Sequence, residues 1–332
     1  MKIERVLLVR NDKIGDFVLS LPAIKMLRES FPSCHISVLV SGYTQDIAKS
    51  VDYIDEVIID SEKQSAFELA SLLKPYQFDA VITLFSSYHV ALACFLLRLP
   101  LRIAPATKIF QFLYNSRLVQ RRSQSLKPEY EYNQDLVSYF LQKQKIKQTQ
   151  VKPPFLQTDK ALKQQIRDEF CNDFKLNQSK KIVFIHPGCG GSAKNLSANQ
   201  FSILAKSLAE NGLQVVLTAG PGETELVAEV SANLTTPHTV YHSKKGLLAF
   251  MQLISVADLF IGGSTGPLHI AGAYDVKTVG FYPRRRSATS LRWKTLNSEQ
   301  NLMSFSPPDD CAEEDMGSID MHKVVQLILE KK

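Results

Sequence analysis

The chain contains 332 residues, of which 45% are hydrophobic and 22% charged, and its formal net charge is +6. This length is enough for two domains of ordinary size, and the composition is that of a soluble globular protein. The five cysteines form no CxxC pair, the start is charged too early for a signal peptide, and no run of about 18 apolar residues could span a membrane. We therefore expect reduced thiols in a cytosol-like compartment.

The first half alternates short β-rich runs with amphipathic helical patterns. Strands are predicted at 3–9, 36–40, 56–60 and 79–84, and helices at 17–30, 44–50, 64–74, 88–97 and 130–145. This alternation predicts a parallel sheet built of βαβ units. Ligands of such sheets bind at the carboxyl ends of the strands, where the loop RNDKIGD, residues 10–16, is expected.

The same alternation restarts after a polar segment that contains prolines, 148–154, so we place two domains at 1–152 and 153–332. Strands are predicted at 181–186, 214–218, 258–261 and 277–282, and helices at 161–170, 197–211, 226–230, 246–256 and 319–330. The C-terminal helix could pack back on the first domain. Two doubly wound domains leave a cleft between them, where ligands usually bind.

The second half is organised around GGSTGPLHIAGA, residues 262–273, which reads as the end of a strand, a tight turn and a helix. Ser264 or Thr265 can cap the helix, and Pro267 fits its first turn. The free amides of Gly266 and its neighbours, with the helix dipole, favour an anion such as a phosphate, and His269 lies one turn further on. The alternative is an ordinary capped connection with a solvated histidine.

Two other loops follow strands of the second half. HPGCGGSAKN, residues 186–195, combines glycines with Lys194, which suits phosphate oxygens, although the GxxxxGK[ST] order is absent. AGPGETE brings Glu223, which could accept hydrogen bonds from ribose hydroxyls or a base amine, or could simply be an acid at a helix N-terminus. A cation, an acid and an anion-binding turn at strand ends together suggest a nucleotide diphosphate.

Asp16 is the main candidate for chemistry in the first half. It follows Gly15 at the start of a predicted helix, so the simplest interpretation is an N-cap. The functional alternative is a carboxylate that faces the cleft and takes a proton from a hydroxyl. Arg10, Asp12 and Lys13 are nearby in sequence, and could bind an acidic acceptor.

Residues 98–127 contain seven arginines and lysines, no acidic residue and interleaved aromatic side chains. Arg117, Arg121 and Arg122 belong to this stretch. Such a segment can bind anionic lipid, an acidic sugar or nucleic acid, or it can be a solvated face. Nucleic acid is disfavoured because no nucleic-acid-binding motif accompanies the charge.

Four of these motifs, in their order along the chain, resemble glycosyltransferase family 9, which contains the heptosyltransferases of lipopolysaccharide core synthesis. They are NDKIGDFVLSLPAIKMLRESFP, HPGCGGSAKN, GPGETE and FIGGSTGPLHIAGAYDVKTVGFYP. The resemblance covers about residues 3–290 and implies an α/β GT-B fold, two Rossmann-like domains facing across a cleft. It further implies transfer of L-glycero-D-manno-heptose from ADP-heptose to an inner-core acceptor, with inversion and without a metal ion or other cofactor.

The resemblance also implies residue roles. Asp16 corresponds to the family's catalytic base, Lys194 to the lysine on the donor phosphates and Glu223 to the acid at the ribose or adenine end. The diphosphate-binding turn corresponds to Ser264, Thr265, Gly266 and His269. The acceptor, an anionic glycolipid, is expected to contact Arg10, Lys13, Arg117, Arg121 and Arg122, which implies a cytoplasmic enzyme in peripheral contact with the inner membrane.

Three residues depart from the family pattern. Ser264 stands where many members have Asp before TG, and Asn195 and Leu196 stand where many have Arg or His followed by Trp. These departures leave the donor sugar open. The basic segment 284–294 resembles a variant branch of the family whose acceptors are unassigned.

Two other classes of function compete with a transferase. A dinucleotide-dependent oxidoreductase would need GxGxxG directly after a strand, which RNDKIGD lacks. A sugar-nucleotide-binding protein without catalysis would keep the fold, but the retention of Asp16 and Lys194 argues against it.

Overall fold

The computed structural model describes residues 2–61, 63–191 and 193–331, and the chain divides into two compact units, 1–155 and 156–332. Each unit contains one six-stranded sheet. The division follows Phe155, whereas the sequence placed it after residue 152.

In the first unit the strand order is β3-β2-β1-β4-β5-β6, and every pair of neighbours is parallel. The strands are β1 (Arg5–Val9), β2 (His35–Ser41), β3 (Glu56–Asp60), β4 (Ala80–Thr83), β5 (Leu101–Pro105) and β6 (Ser116–Leu118). The helices are α1 (Ile14–Val18), α2 (Leu21–Ser30), α3 (Gln45–Lys49), α4 (Ala66–Leu73), α5 (Tyr88–Leu96) and α6 (Glu129–Lys143). This is the Rossmann order. The chain first builds the sheet outwards from β1 to β3 and then continues on the other side of β1 with β4, so the strand order reverses between β1 and β4.

The central strand β1 explains why its sequence is a continuous apolar run. Val6 to Val9 pair with β2 on one side and β4 on the other, and all four are buried. Helices cover both faces of a parallel sheet, so a central strand has no solvent face and needs no polar alternation.

The single helix predicted at 17–30 is wrong, because two helices, α1 and α2, meet at Leu19 and Ser20. Pro22 is in the first turn of α2 and has no N–H to donate back into the preceding turn. Ser20 ends the first helix with a 2.6 Å bond from its Oγ to the carbonyl of Phe17. The break lets α1 and α2 take separate directions.

In the second unit the order is β12-β11-β10-β7-β8-β9, the same Rossmann order with its reversal between β7 and β10. The strands are β7 (Ile182–His186), β8 (Gln214–Ala219), β9 (His238–His242), β10 (Leu259–Gly263), β11 (Thr278–Phe281) and β12 (Leu302–Phe305). The helices are α7 (Lys160–Asp173), α8 (Ala198–Glu210), α9 (Thr224–Ala232), α10 (Leu247–Ser255), α11 (Gly266–Ala273) and α12 (Met321–Glu330).

The sequence missed the outer strands β5, β6, β9 and β12. β9 and β12 lie at sheet edges, and neither has a fully buried residue, so their sequences lack a strong apolar signal. β5 and β6 lie inside the basic stretch 98–127, where charged residues interrupt the apolar pattern by which the other strands were predicted.

The C-terminal helix packs on the second unit. Val324, Val325 and Ile328 of α12 join the same hydrophobic core as α8. None of the described helices combines the length and hydropathy that a membrane span would need.

Candidate functional site

Arg10 is the centre of the first unit's site. It follows β1 directly and is only 4% exposed. Its Nε donates to Asp12 Oδ1 at 2.8 Å, its Nη2 donates to Asp16 Oδ1, and its Nη1 donates to Glu129 Oε1 at 3.1 Å. Burial opposes the charge of Arg10, but the three carboxylates outweigh burial and raise its pKa. A buried guanidinium with this many partners is a fixed, permanently charged anchor.

Asp16 is therefore not the N-cap that the simplest interpretation expected. Lys13 occupies the N-cap position of α1, and Asp16 lies in the first turn, where its carboxylate is held by Arg10. Its side chain keeps 17% of its surface exposed. A carboxylate fixed by a buried arginine and still open to solvent fits a positioned general base better than a helix cap.

Glu129 extends the anchor to α6. Its Oε1 accepts from Arg10 and also from Arg122 Nη1, the latter at 2.7 Å, and Asn133 Oδ1 accepts from Arg10 at 3.2 Å. Asn133 in turn donates to the carbonyl of Leu19 at 3.0 Å, next to the break between α1 and α2. The loop after β1 is thus fixed by residues more than a hundred positions away, for which the sequence offered no signal.

Arg10 does not fit its predicted role in direct acceptor binding, and Arg122 is held by partners within the first unit. Arg10 is buried, and Arg122 bonds Glu129 and Gln120 and lies with its guanidinium carbon 5.7 Å from the ring centre of Tyr132. Lys13, Arg117 and Arg121 are exposed, as acceptor binding would require.

The carboxyl group of Asp12 makes the stability of this network depend on pH. Burial, with the nearby charge of Asp16, raises the pKa of Asp12 from 3.8 to about 6, although Arg10 opposes the shift. A carboxyl whose pKa is higher in the folded than in the unfolded state binds more protons when folded between these two values. Stability should therefore fall as pH rises through this range and stay lower above it.

We expect Asp12→Asn to remove this pH dependence, since an amide oxygen can still accept from Arg10 Nε. A shift of about two pH units corresponds to about 3 kcal/mol. Urea unfolding at pH 4.5 and 7.5 measures the free energy of unfolding of both proteins. The advantage of the variant over the wild type should be larger at pH 7.5 than at pH 4.5, by up to about 3 kcal/mol. Equal differences between the two proteins at both pH values would contradict the assignment.

In the second unit, α11 begins as the motif predicted. Thr265 is the N-cap, with its hydroxyl 3.5 Å from the amide of Leu268, and Pro267 lies in the first turn. β10 ends at Gly263, so Ser264, Thr265 and Gly266 form the turn at the carboxyl edge of the sheet. The strand order of this sheet reverses between β7 and β10, and doubly wound sheets bind ligands at the carboxyl ends of such a pair of strands. The turn 264–266 lies at this position.

His269 is buried, contrary to the solvated alternative. Burial lowers its pKa to about 4, so the ring is neutral at physiological pH. Among the described residues its Nδ1 has no hydrogen-bond partner, and its ring centre lies 6.3 Å from that of Trp293. His269 can offer a ligand a hydrogen bond but not a positive charge.

The loop with Lys194 lies against this turn. Asn195 Nδ2 donates to the carbonyl of Pro187 at 2.8 Å. The Asn195 amide also covers Gly263, where a Cβ would come within 2.5 Å of Asn195 Oδ1. Asn195, a departure from the family pattern, thus joins the loop after β7 to the end of β10. Lys194, its exposed neighbour in sequence, is the cation of this loop.

Glu223 lies against the same loop from the other side. Its Oε2 accepts from the amide of Gly220 at 2.7 Å and lies 3.3 Å from Nε2 of His186, the last residue of β7. A Cβ on Gly188 would come within 1.9 Å of Glu223 Oε1, so a larger residue at this position would force the Glu223 carboxylate to move. Glu223 is at the N-cap position of α9, as the alternative of an acid at a helix N-terminus expected, although its side chain makes no capping bond.

His186, which the sequence did not single out, is fully enclosed. Burial lowers its pKa, with the charge of Glu223 opposing the shift. Its Nδ1 lies 3.0 Å from the hydroxyl of Thr218. The Gly220 amide and the His186 ring thus both lie on the Oε2 side of the Glu223 carboxylate, and Oε1 is the oxygen that we expect to meet a ligand.

The structure thus brings the three predicted loops of the second unit together at the carboxyl ends of β7, β8 and β10. No group of three or more His, Cys, Asp or Glu side chains with the spacing of a metal site occurs in residues 2–61, 63–191 and 193–331.

Comparison with known proteins gives a consistent result. The profile of glycosyltransferase family 9 (heptosyltransferase) matches residues 66–316. A Haemophilus influenzae protein, described no further than as a glycosyltransferase, is 45% identical over 92% of this chain and 90% of its own. The structure of the Escherichia coli ADP-heptose lipopolysaccharide heptosyltransferase II matches with a TM-score of 0.80, at 19% identity over 98% of both chains. A family 9 glycosyltransferase from Veillonella parvula matches with a TM-score of 0.82, at 16% identity over 100% of this chain and 98% of its own.

These likenesses confirm the predicted fold class, an α/β protein of the GT-B type with two Rossmann-like sheets.

Proposed function

Since the chain belongs to glycosyltransferase family 9, we propose that it transfers heptose from ADP-L-glycero-D-manno-heptose to an anionic inner-core acceptor of lipopolysaccharide, with inversion and without a metal ion. The observation that carries this proposal is the assembly of the Lys194 loop, Glu223 and the Thr265–Gly266 turn at the strand reversal of the second sheet. Lys194 and the turn suit the two phosphates of a nucleoside diphosphate, and Glu223 suits its ribose.

The donor would bind with its diphosphate at the N-terminus of α11. The free amides after Thr265 and the helix dipole favour negative charge there, and Lys194 adds a full positive charge. Charge would build up on ADP as it leaves, and fixed donors of this kind stabilise such charge without a metal ion. Glu223 Oε1 would accept from the ribose hydroxyls.

The first unit would supply the base. Asp16 is exposed enough to meet an acceptor hydroxyl, and Arg10 holds its carboxylate in one orientation. Deprotonation by Asp16, as the hydroxyl oxygen attacks the anomeric carbon, gives the inverted glycoside and ADP.

The proposal is tested by incubating the protein with ADP-heptose and deacylated core oligosaccharide that lacks heptose. We expect one added heptose by mass spectrometry, an inverted anomeric centre by NMR and activity that survives EDTA. A panel of other nucleotide sugars tests the donor, because Ser264 stands where many members have Asp. Binding of ADP-heptose with no transfer would favour a non-catalytic binding protein.

Lys194→Ala should weaken ADP binding about tenfold or more, because a charge-assisted hydrogen bond contributes about 1.5–3 kcal/mol. Isothermal titration with ADP measures the effect. The control is Lys206→Ala on α8, an exposed lysine that lies 3.9 Å from Glu210 and should leave the affinity unchanged. Unchanged affinity in the Lys194 variant would remove this residue from the donor site.

We also propose that the segment 108–127 of the first unit contacts an anionic membrane surface, which would place the enzyme on the cytoplasmic face of the inner membrane. Four large apolar side chains of this segment are well exposed: Ile109, at 93%, with Phe112, Val119 and Leu126. Lys108, Arg117 and Arg121 are exposed on the same segment. Exposed apolar groups among cations match the acyl boundary and headgroups of an anionic bilayer.

The double variant Arg117→Glu/Arg121→Glu should weaken binding to anionic vesicles about thirtyfold, since each arginine near such a surface contributes about 1 kcal/mol. Sedimentation with phosphatidylglycerol vesicles at low and high salt measures it. Lys49→Glu/Lys74→Glu makes the same charge change at exposed positions elsewhere in the first unit. Equal loss in both variants would show that only net charge matters.

A further inference from the structure

A second polar cluster of the first unit joins residues from three strand ends. Asp60, the last residue of β3, accepts at Oδ2 from Asn11 Nδ2, and the same oxygen lies 2.8 Å from His89 Nε2. The other ring nitrogen of His89, Nδ1, lies 3.1 Å from the hydroxyl of Ser87. The sequence did not single out any of these four residues.

Asp60 fixes the state of this cluster. It is 6% exposed, and an ionised carboxylate can only accept, so Nε2 of His89 must carry a proton. In the tautomer with its proton on Nε2, Nδ1 is an acceptor, and the hydroxyl of Ser87 donates to it. The lone pairs of Ser87 Oγ remain available to accept a hydrogen bond from elsewhere.

Two buried oxygen atoms of the cluster lack hydrogen-bond partners, which lowers the stability of the fold. Among the described residues, Asp60 Oδ1 and Asn11 Oδ1 are buried without a hydrogen-bond partner. Buried acceptors of this kind are rare in folded proteins and call for an explanation beyond stability. Stability alone therefore does not account for a buried aspartate that holds a histidine at the surface.

The position of the cluster supplies that explanation. Ser87 and His89 follow β4, whereas Asp16 follows β1. These two strands are neighbours, and the strand order of the sheet reverses between them. Asn11 lies between Arg10, which holds Asp16, and Asp12. One short loop thus fixes both the carboxylate of Asp16 and the orientation of His89.

Ser87 is also placed unlike an ordinary helix cap. It occupies the N-cap position of α5, but its side chain makes no capping bond, because its hydroxyl is turned to His89. The neighbouring side chains Phe85 and Tyr88 are exposed. Oriented hydroxyl and imidazole groups beside exposed aromatic faces are suited to a sugar, which offers both hydroxyl groups and apolar C–H faces.

We propose that Ser87, oriented by His89 and Asp60, forms a subsite that binds a hydroxyl group of the acceptor sugar beside Asp16. Ser87 Oγ accepts from a sugar hydroxyl, and Tyr88 packs on the sugar ring. Asp60 is a positioning residue, which acts through His89. This inference rests on the proposed function, which supplies the identity of the acceptor.

The test is direct binding of the deacylated, heptose-free core oligosaccharide in the presence of ADP, measured by titration calorimetry. Ser87→Ala should weaken binding about three- to tenfold, with Tm and the affinity for ADP unchanged. The matched control is Ser65→Ala at the N-cap of α4, where the hydroxyl does accept from the amide of Glu68. That variant should lower Tm and leave oligosaccharide binding unchanged.

His89→Gln provides a second arm. The glutamine amide can still donate to Asp60, but its oxygen does not lie where Nδ1 of the histidine lies, so it no longer orients Ser87 and binding should weaken about as much as in Ser87→Ala. The control is His35→Gln, at the opposite end of the sheet, because His35 is as exposed as His89, at 34% against 33%, and also faces an aspartate. Asp60→Asn should weaken binding without changing the KM for ADP-heptose.

The outcomes separate the subsite from the proposed reaction. Normal oligosaccharide binding by both Ser87→Ala and His89→Gln would overturn the subsite, as would a wild-type protein that does not bind the oligosaccharide. Wild-type binding that is lost in both variants supports the subsite. If no heptose is transferred in that case, only the proposed reaction fails.

Discussion

Asp16→Asn should lower kcat for heptose transfer by about 10²–10⁴-fold, while the affinity for ADP and Tm hardly change. General-base catalysis typically contributes an effect of this size, and an amide cannot take the proton of the acceptor hydroxyl. The asparagine oxygen can still accept from Arg10 Nη2, so the loop after β1 should keep its conformation. Steady-state kinetics at saturating donor and acceptor measure the loss.

A carboxylate in the first turn of another helix provides the control. Asp46 lies in the first turn of α3, which, like α1, is five residues long. Asp46→Asn removes the same helix-terminal charge and should leave kcat unchanged. A near-normal kcat in Asp16→Asn would return Asp16 to a purely structural role, and circular dichroism identifies a variant that fails to fold.

Arg10→Met should destabilise the first unit by about 3–5 kcal/mol, because it leaves Asp12, Asp16 and Glu129 close together without their common cation. Urea unfolding at pH 8 measures the loss. The deficit should be smaller at pH 5, since protonation can then relieve part of the repulsion. Arg10→Lys keeps the charge but not the planar fork, so it should recover only part of the stability.

Addition of Glu129→Gln to Arg10→Met distinguishes charge from packing. If repulsion among the carboxylates dominates, the double variant should be more stable than Arg10→Met alone. A double variant that is less stable would show instead that the shape of the arginine side chain, packed against Asn133 and Phe85, matters more than its charge.

The second unit's candidate site could be predicted in most of its parts from sequence because each part is local. The turn 264–266, its cap Thr265 and Pro267 are encoded within a few consecutive residues, as are the apolar strands before each loop. The departure at Asn195 marked a position of interest, although its contact with Gly263 could not be predicted. The burial of His269 depends on packing near Trp293, which is distant in sequence.

The first unit's site depended on contacts that no local pattern carries. Asp16 looked like a helix cap because sequence spacing cannot reveal that Arg10 holds it. Glu129 lies 119 residues from Arg10, and Asp60 lies 49 residues from Asn11. Arg122 looked like part of a basic surface because its charge was visible in the sequence and its ion pair with Glu129 was not.

The sequence by itself determined the two βα halves, the parallel sheets and the loops at which ligands could bind, because hydrophobic periodicity and turn chemistry act over neighbouring residues. The tertiary structure alone decided which charges are buried, which histidines are neutral and which carboxylate stays exposed. Those properties depend on the side chains that the fold places around each group, since desolvation and Coulomb interactions act through space and not along the chain.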